Sequence, residues 1–109
     1  MTPLQRLNVQ HWAAVLRSGA YPKTIRTLKN EDGYCCLGVL CEIQQIPYKT
    51  EDGYMFPDGS VGYSMPTQPW FEATTGLPMN YADRLAHIND AEETFAAVIL
   101  EIESFLEKT

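Results

Sequence analysis

Basic residues, histidine and cysteine are all scarce in this sequence. Among 109 residues, 8 Lys and Arg face 14 Asp and Glu, with 2 His and 3 Cys, and the net charge is −6. So acidic a chain is a poor general binder of nucleic acid, because affinity for phosphate backbones comes from neutralising them with cations. No apolar run nears the ~18 residues of a transmembrane helix, and the first residues lack the apolar stretch of a secretory leader. No membrane contact is expected, and the expected compartment is the cytoplasm. Three cysteines, an odd number with Cys35 and Cys36 adjacent, do not make a disulfide framework. They do not make a metal site either: there is no Cys-x-x-Cys, His11 and His87 lie on other segments, and Cys36 and Cys41 would stand about 140° apart on a helix. A Gly-rich phosphate loop, an H-E-x-x-H and a G-x-S-x-G are also missing. No cofactor is expected, and catalysis is the minority reading.

What is present reads as one folded domain spanning 1–109. Hydrophobic residues make up 45% of the chain and are spread along its whole length, which excludes low-complexity disorder. Met1 to Gly19 predicts a helix: Thr2 and Gln5 can form a capping box, Pro3 suits N1, and Val9, Trp12, Ala13 and Leu16 repeat on one face. Gly19 reads as a left-handed stop, with Arg17 well placed for the helix dipole and His11 off the apolar face. Thr24 to Leu28 is short and rich in β-formers, and Asp32-Gly33 signals a hairpin. Residues 36–46 read as a buried helix halted by Pro47, with a buried strand over 34–40 as the alternative, since a continuous apolar run hides its period. Gly38 within it either weakens a helix or admits a close neighbour.

The hexapeptide Lys29-Asn30-Glu31-Asp32-Gly33-Tyr34 recurs as Lys49-Thr50-Glu51-Asp52-Gly53-Tyr54. Two copies do not make a solenoid, and neither has the alternating acids of a calcium loop, so one turn chemistry is used twice. Asp58-Gly59 adds a third turn and makes 48–63 a small meander. Thr67 to Thr75 holds one or two helical turns anchored by Trp70 and Phe71 and stopped by Gly76. Asn80 to Ile88 reads as a short helix broken by Asn89-Asp90. Asp90 is then expected to cap the last helix with Glu93 as its partner, and Phe95, Val98, Ile99, Ile102, Phe105 and Leu106 form its apolar stripe. The expected fold is α+β, with N- and C-terminal amphipathic helices packed on a central apolar helix beside one or two short β-hairpins. Trp12, Leu16, Leu37, Leu40, Ile43, Phe95, Ile99, Ile102 and Leu106 are its expected core.

Trp12-x3-Leu16-x-Ser18-Gly19-x-Tyr21, then Gly33-Tyr34-Cys35-Cys36-Leu37-Gly38-Val39-Leu40-Cys41-Glu42, then Leu85-Ala86-x-Ile88-Asn89-Asp90 with Phe95 after it, span most of the chain. This layout resembles an uncharacterised family of small proteins encoded by phages and their bacterial hosts, and the Tyr-Cys-Cys-Leu-Gly-Val-Leu-Cys run is its specific part. Members tend to carry a Gly-rich stretch after the first tyrosine, where this chain has Pro22 to Thr27. The resemblance implies a biological setting and no mechanism: an accessory role in the host cytoplasm, interference with a bacterial defence system included.

Charge is unevenly placed, net +3 over 1–50 and net −9 over 51–109. That asymmetry supplies two binding surfaces. The acids Glu51, Asp52, Asp58, Glu101, Glu103 and Glu107 offer a docking surface for a basic bacterial protein, with salt-dependent association. Tyr21, Lys23, Arg26, Lys29 and Tyr34 offer instead a pocket for a small nucleotide-like anion, aromatics stacking and cations holding phosphate. A third reading, an enzyme, would use Cys35 or Cys36 with His11 or His87, or the carboxylates Asp83, Asp90, Glu92 and Glu93 near His87. Apolar flanks favour packing for the thiols, and no catalytic residue is assigned. Oligomeric state is not legible.

Overall fold

The computed structural model describes residues 1–49 and 52–108. Its elements run α1 (Pro3–Ser18), β1 (Lys29–Asn30), β2 (Gly33–Tyr34), α2 (Cys36–Ile43), β3 (Tyr48–Lys49), β4 (Gly53–Met55), β5 (Val61–Gly62), α3 (Gln68–Thr75), α4 (Met79–Ala91) and α5 (Ala96–Lys108). The fold is α+β, with a two-stranded antiparallel ribbon β1-β2 and a three-stranded antiparallel sheet β3-β4-β5 beside the helices.

Helix α1 carries both expected end signals: the Thr2–Gln5 capping box and a left-handed Gly19 at φ 74°. Its inner face, Val9, Trp12, Ala13 and Leu16, is buried. Trp12 donates its indole N–H to the Cys36 carbonyl at 2.8 Å, and its ring meets Phe71 edge-on. The polar side of α1 is also used. Gln5 Nε2 donates to the Ala73 carbonyl at 3.1 Å and Asn8 Nδ2 to the Thr74 carbonyl at 3.0 Å, satisfying carbonyls that the end of α3 leaves without helical partners.

Within 34–40 the helix covers residues 36–40: Tyr34 ends strand β2 and Cys35 is the extended N-cap of α2, its Sγ accepting from the Gly38 N–H at 3.4 Å. The helix ends at Ile43, earlier than Pro47 suggests. Gln45 adopts φ 59° and the Ile46 N–H returns to the Cys41 carbonyl at 3.0 Å, a left-handed stop formed without glycine. Gly38 is a contact point. A Cβ there would lie 1.7 Å from the Leu28 carbonyl oxygen, so only glycine lets the 28–35 loop close on the helix.

Three expectations are corrected. Thr24 to Leu28 is not a strand, because successive backbone groups are tied to different elements. Thr24 N–H donates to the Tyr34 carbonyl, Arg26 N–H to Asp90 Oδ1 and Leu28 N–H to the Tyr63 carbonyl, with Arg26 at φ 66°. Nor do Asn89 and Asp90 break a helix: α4 runs through both to Ala91. Their side chains have distant partners and do not compete for local backbone groups. Asn89 is fully buried, accepts from the Cys36 N–H at 3.1 Å and donates to the Thr24 carbonyl at 3.1 Å. Asp90 caps nothing on α5; at that helix's start Thr94 Oγ1 accepts the Ala96 N–H at 3.2 Å.

The two hexapeptide copies both form antiparallel pairs, in different registers. In the first, Lys29 opposes Tyr34 and Asn30 opposes Gly33; in the second, Tyr48 opposes Tyr54 and Lys49 opposes Gly53. Asn30 explains the tighter first turn: its Oδ1 accepts from the N–H groups of Asp32 and Gly33, an Asx turn. The second copy has Thr50 at that place, the one position where the copies differ, and residue 50 lies outside the described residues. There the Asp52 N–H closes on the Lys49 carbonyl at 3.0 Å.

Helix α1 packs on α2, α3 and α5, while α4 packs on α2, α3 and α5. Trp12, Leu16, Leu37, Leu40, Phe95, Ile99 and Ile102 are buried as expected, and Ile43 and Leu106 are half-buried against them. Among the described residues no helix is long and apolar enough to cross a membrane.

Candidate binding surfaces

Of the five residues, Tyr21, Lys23, Lys29 and Tyr34 form a connected neighbourhood but not one pocket, and Arg26 stands apart from them. Tyr34 is its centre. The Tyr21 ring meets it edge-on at 5.0 Å, and its backbone bridges Lys23 and pairs with Lys29. From there the cations diverge. Lys29 turns towards the three-stranded sheet, where its Nζ lies 4.5 Å from the Tyr48 ring centre, 5.2 Å from that of Tyr34 and 4.0 Å from Glu42 Oε2. Glu42 also accepts from the Tyr54 hydroxyl at 2.8 Å. Burial first, and that carboxylate next, push the Tyr54 phenol far above its ordinary pKa. Lys29 is thus held by protein groups on several sides. Arg26 lies elsewhere, with Thr27, Cys35, Met65 and Asp90 around a small hollow of about 120 Å³.

Tyr21 and Lys23 instead face a groove of about 560 Å³ between the C-terminal end of α1 and the N-terminal end of α5. Leu16, Phe95 and Ile99 give it an apolar floor, Leu100 stands on its lip, and Arg17, Lys23 and Glu93 are its charged groups. Helix periodicity puts these residues together. Leu16 and Arg17 belong to the last turn of α1, Gly19 turns the chain out of the helix, and Ile99 and Leu100 belong to the first turns of α5. Arg17 donates to Glu103 at 2.5 Å across the helix pair. Lys23 makes no ion pair among the described residues. Leu100 is 67% exposed. The sequence offers one signal for it, a leucine outside the buried stripe of α5; Leu16, Phe95 and Ile99 register there only as core.

The acids are scattered and partly engaged. Glu101 pairs with Arg84 at 2.8 Å and Glu103 with Arg17, while Glu107 is exposed near the end of α5. Asp52 and Asp58 occupy turns of the three-stranded sheet. Asp58 accepts from the Ser60 hydroxyl and N–H, which holds its pKa below the ordinary carboxylate value. Glu51 lies outside the described residues.

All three thiols are buried and free. Burial pushes Cys35 up to about 11 and Cys36 and Cys41 well above the ordinary thiol value, which disfavours the thiolate a nucleophile requires. His11 and His87 are both exposed. His87 shares a shallow hollow with Asn80, Asp83, Arg84 and Ile88, and no hydrogen bond joins it to Asp83 among the described residues. No group of three or more His, Cys, Asp or Glu converges as a metal site among the described residues.

The stretches carrying the sequence resemblance meet in the interior: Asn89 accepts the Cys36 N–H, and Cys36 Sγ lies 3.8 Å from the Leu85 carbonyl. The Cys35–Glu42 and Leu85–Asp90 stretches therefore close the fold, while Leu16, Gly19, Tyr21 and Phe95 of the same layout line the groove. No curated protein matches the chain, and no solved structure does. A family model described as a domain of unknown function (DUF8296) matches residues 5–105, and the chain belongs to that family.

Proposed function

We propose that this is a small accessory protein of phage type that acts by binding a bacterial protein, with interference in a bacterial defence system as its setting, and that the α1–α5 groove is its recognition surface. The observation that carries this reading is Leu100, a large apolar side chain 67% exposed on the lip of an apolar concavity. Single exposed leucines are common on protein surfaces; one continuous with a concave apolar floor is the pattern of an interface. The experiment is affinity capture from a bacterial lysate with the intact chain and with Leu100→Asp. A partner kept by the first and lost by the second, at unchanged melting temperature, is the expected result. A partner kept by both removes the groove as the binding surface.

Net charge supports a second reading, docking on a basic protein through Glu107, Asp52 and Asp58. Capture lost at high salt and in Glu107→Lys, but retained in Leu100→Asp, would favour it.

A further inference from the structure

Only eight cations serve this chain, and two of them, Arg17 and Lys23, line the groove. That is opposite to what the net charge of −6 offers a ligand elsewhere on the surface. Resting on the groove reading above, we infer that the groove takes an acidic amphipathic segment of a partner protein, with apolar side chains on Leu16, Phe95 and Ile99 and carboxylates on Arg17 and Lys23.

Charge complementarity fixes the sign of the occupant. Lys23 is half-buried and makes no ion pair among the described residues, so a carboxylate arriving there gains a charge-assisted contact without displacing an internal one. Arg17 has a side chain 60% exposed and uses one nitrogen towards Glu103. A guanidinium has five N–H donors, so it can hold Glu103 and a second carboxylate together. Glu93, an exposed acid, also lines the groove. It repels carboxylates on the α5 side and so directs them to the α1 side.

The floor decides between a peptide and a nucleotide. Leu16, Ile99 and Leu100 are aliphatic, which suits leucine-type anchors of a helix laid in a groove. A nucleobase calls for open aromatic faces, but Phe95 of the floor is only 7% exposed and the Tyr21 ring is already packed edge-on against Tyr34. The volume of about 560 Å³ fits one or two apolar anchors.

The test is selection of random dodecapeptides displayed on phage against the immobilised full chain, repeated on Arg17→Glu/Lys23→Glu and on Leu100→Asp. The expected peptides combine Leu, Ile, Met or Phe with a net negative charge, and both variants lower their enrichment about tenfold or more, equivalent to about 1.4 kcal/mol. If the double Glu variant melts early, Arg17→Gln/Lys23→Gln replaces it, with a smaller loss expected in the same direction. Neutral or basic peptides lost only on Leu100→Asp overturn the acidic requirement and leave the groove as a docking site. Enrichment indifferent to Leu100→Asp, or none on the unaltered chain, overturns the inference. So does a small-molecule mass retained in native mass spectrometry that Lys23→Gln removes.

Discussion

Lys23 and Lys29 are both backbone partners of Tyr34, the first as an isolated bridge and the second across the β1-β2 ribbon. Their side chains meet opposite conditions. Lys29, which lines a hollow of its own, is held against the Tyr34 and Tyr48 rings with Glu42 at 4.0 Å, while Lys23 lines the α1–α5 groove with no acid in ion-pair reach among the described residues. Two lysines six positions apart look alike in a sequence. What separates them is whether the fold has already neutralised the charge. A cation held by internal rings and a carboxylate stabilises the structure, whereas one left beside an apolar concavity is available to a partner.

The contrast holds only if the inner side of this neighbourhood is structural, and the largest effect should come there. Asn89→Ala strips partners from the buried Cys36 N–H and Thr24 carbonyl, at about 1–3 kcal/mol for each group left unsatisfied. Chemical denaturation should show a loss of about 2–5 kcal/mol, and a loss below about 1 kcal/mol would mean the two motifs are not locked by this residue. Next comes alkaline pH. Burial raises the Cys35 pKa from about 9 to about 11, so the folded state keeps a proton that the unfolded state releases. Stability is therefore full below pH 9 and falls as pH rises through about 11, by about 3 kcal/mol for this group. Urea midpoints across that range should show the fall, and Cys35→Ala should lessen it while the buried Cys36 and Cys41 thiols keep the rest. In the same spirit, iodoacetamide at pH 8 should leave the native thiols unmodified and label them on unfolding.

The lysine pair tests the contrast itself. Lys29→Met should lower stability by about 1 kcal/mol and leave peptide or partner binding unchanged. Lys23→Gln should do the reverse, with a stability change within about 0.5 kcal/mol. Identical behaviour of the two variants would break the comparison. The smallest effect belongs to the repeated turn: Asn30→Thr, which makes the first copy match the second, should cost about 0.5–1 kcal/mol through loss of the Asx bonds.

Local signals made much of this legible. The α1 caps, the β1-β2 hairpin (with its turn on Glu31-Asp32, one residue before the expected Asp32-Gly33), the 48–63 meander, Gly76 as the stop of α3 and the stripe of α5 all follow from patterns confined to a few residues. The misreadings share one cause. Asn89, Asp90 and Thr24 to Leu28 have the composition of local punctuation or a short strand, yet their hydrogen bonds go to residues far along the chain. Polar side chains with long-range partners carry no local signature. The groove was hidden for a similar reason. Leu16, Phe95 and Ile99 bear the periodicity of core residues, and only the pairing of α1 with α5 shows that one edge of this core opens beside Leu100 and Lys23.

Hydrogen–deuterium exchange of the chain, free and bound to its captured partner, tests the central claim most directly. Protection confined to residues 16–23 and 95–100 is the result the groove account requires. Protection at 52–58 and around Glu107, with 16–23 and 95–100 unchanged, would contradict it and transfer the function to the acidic surface.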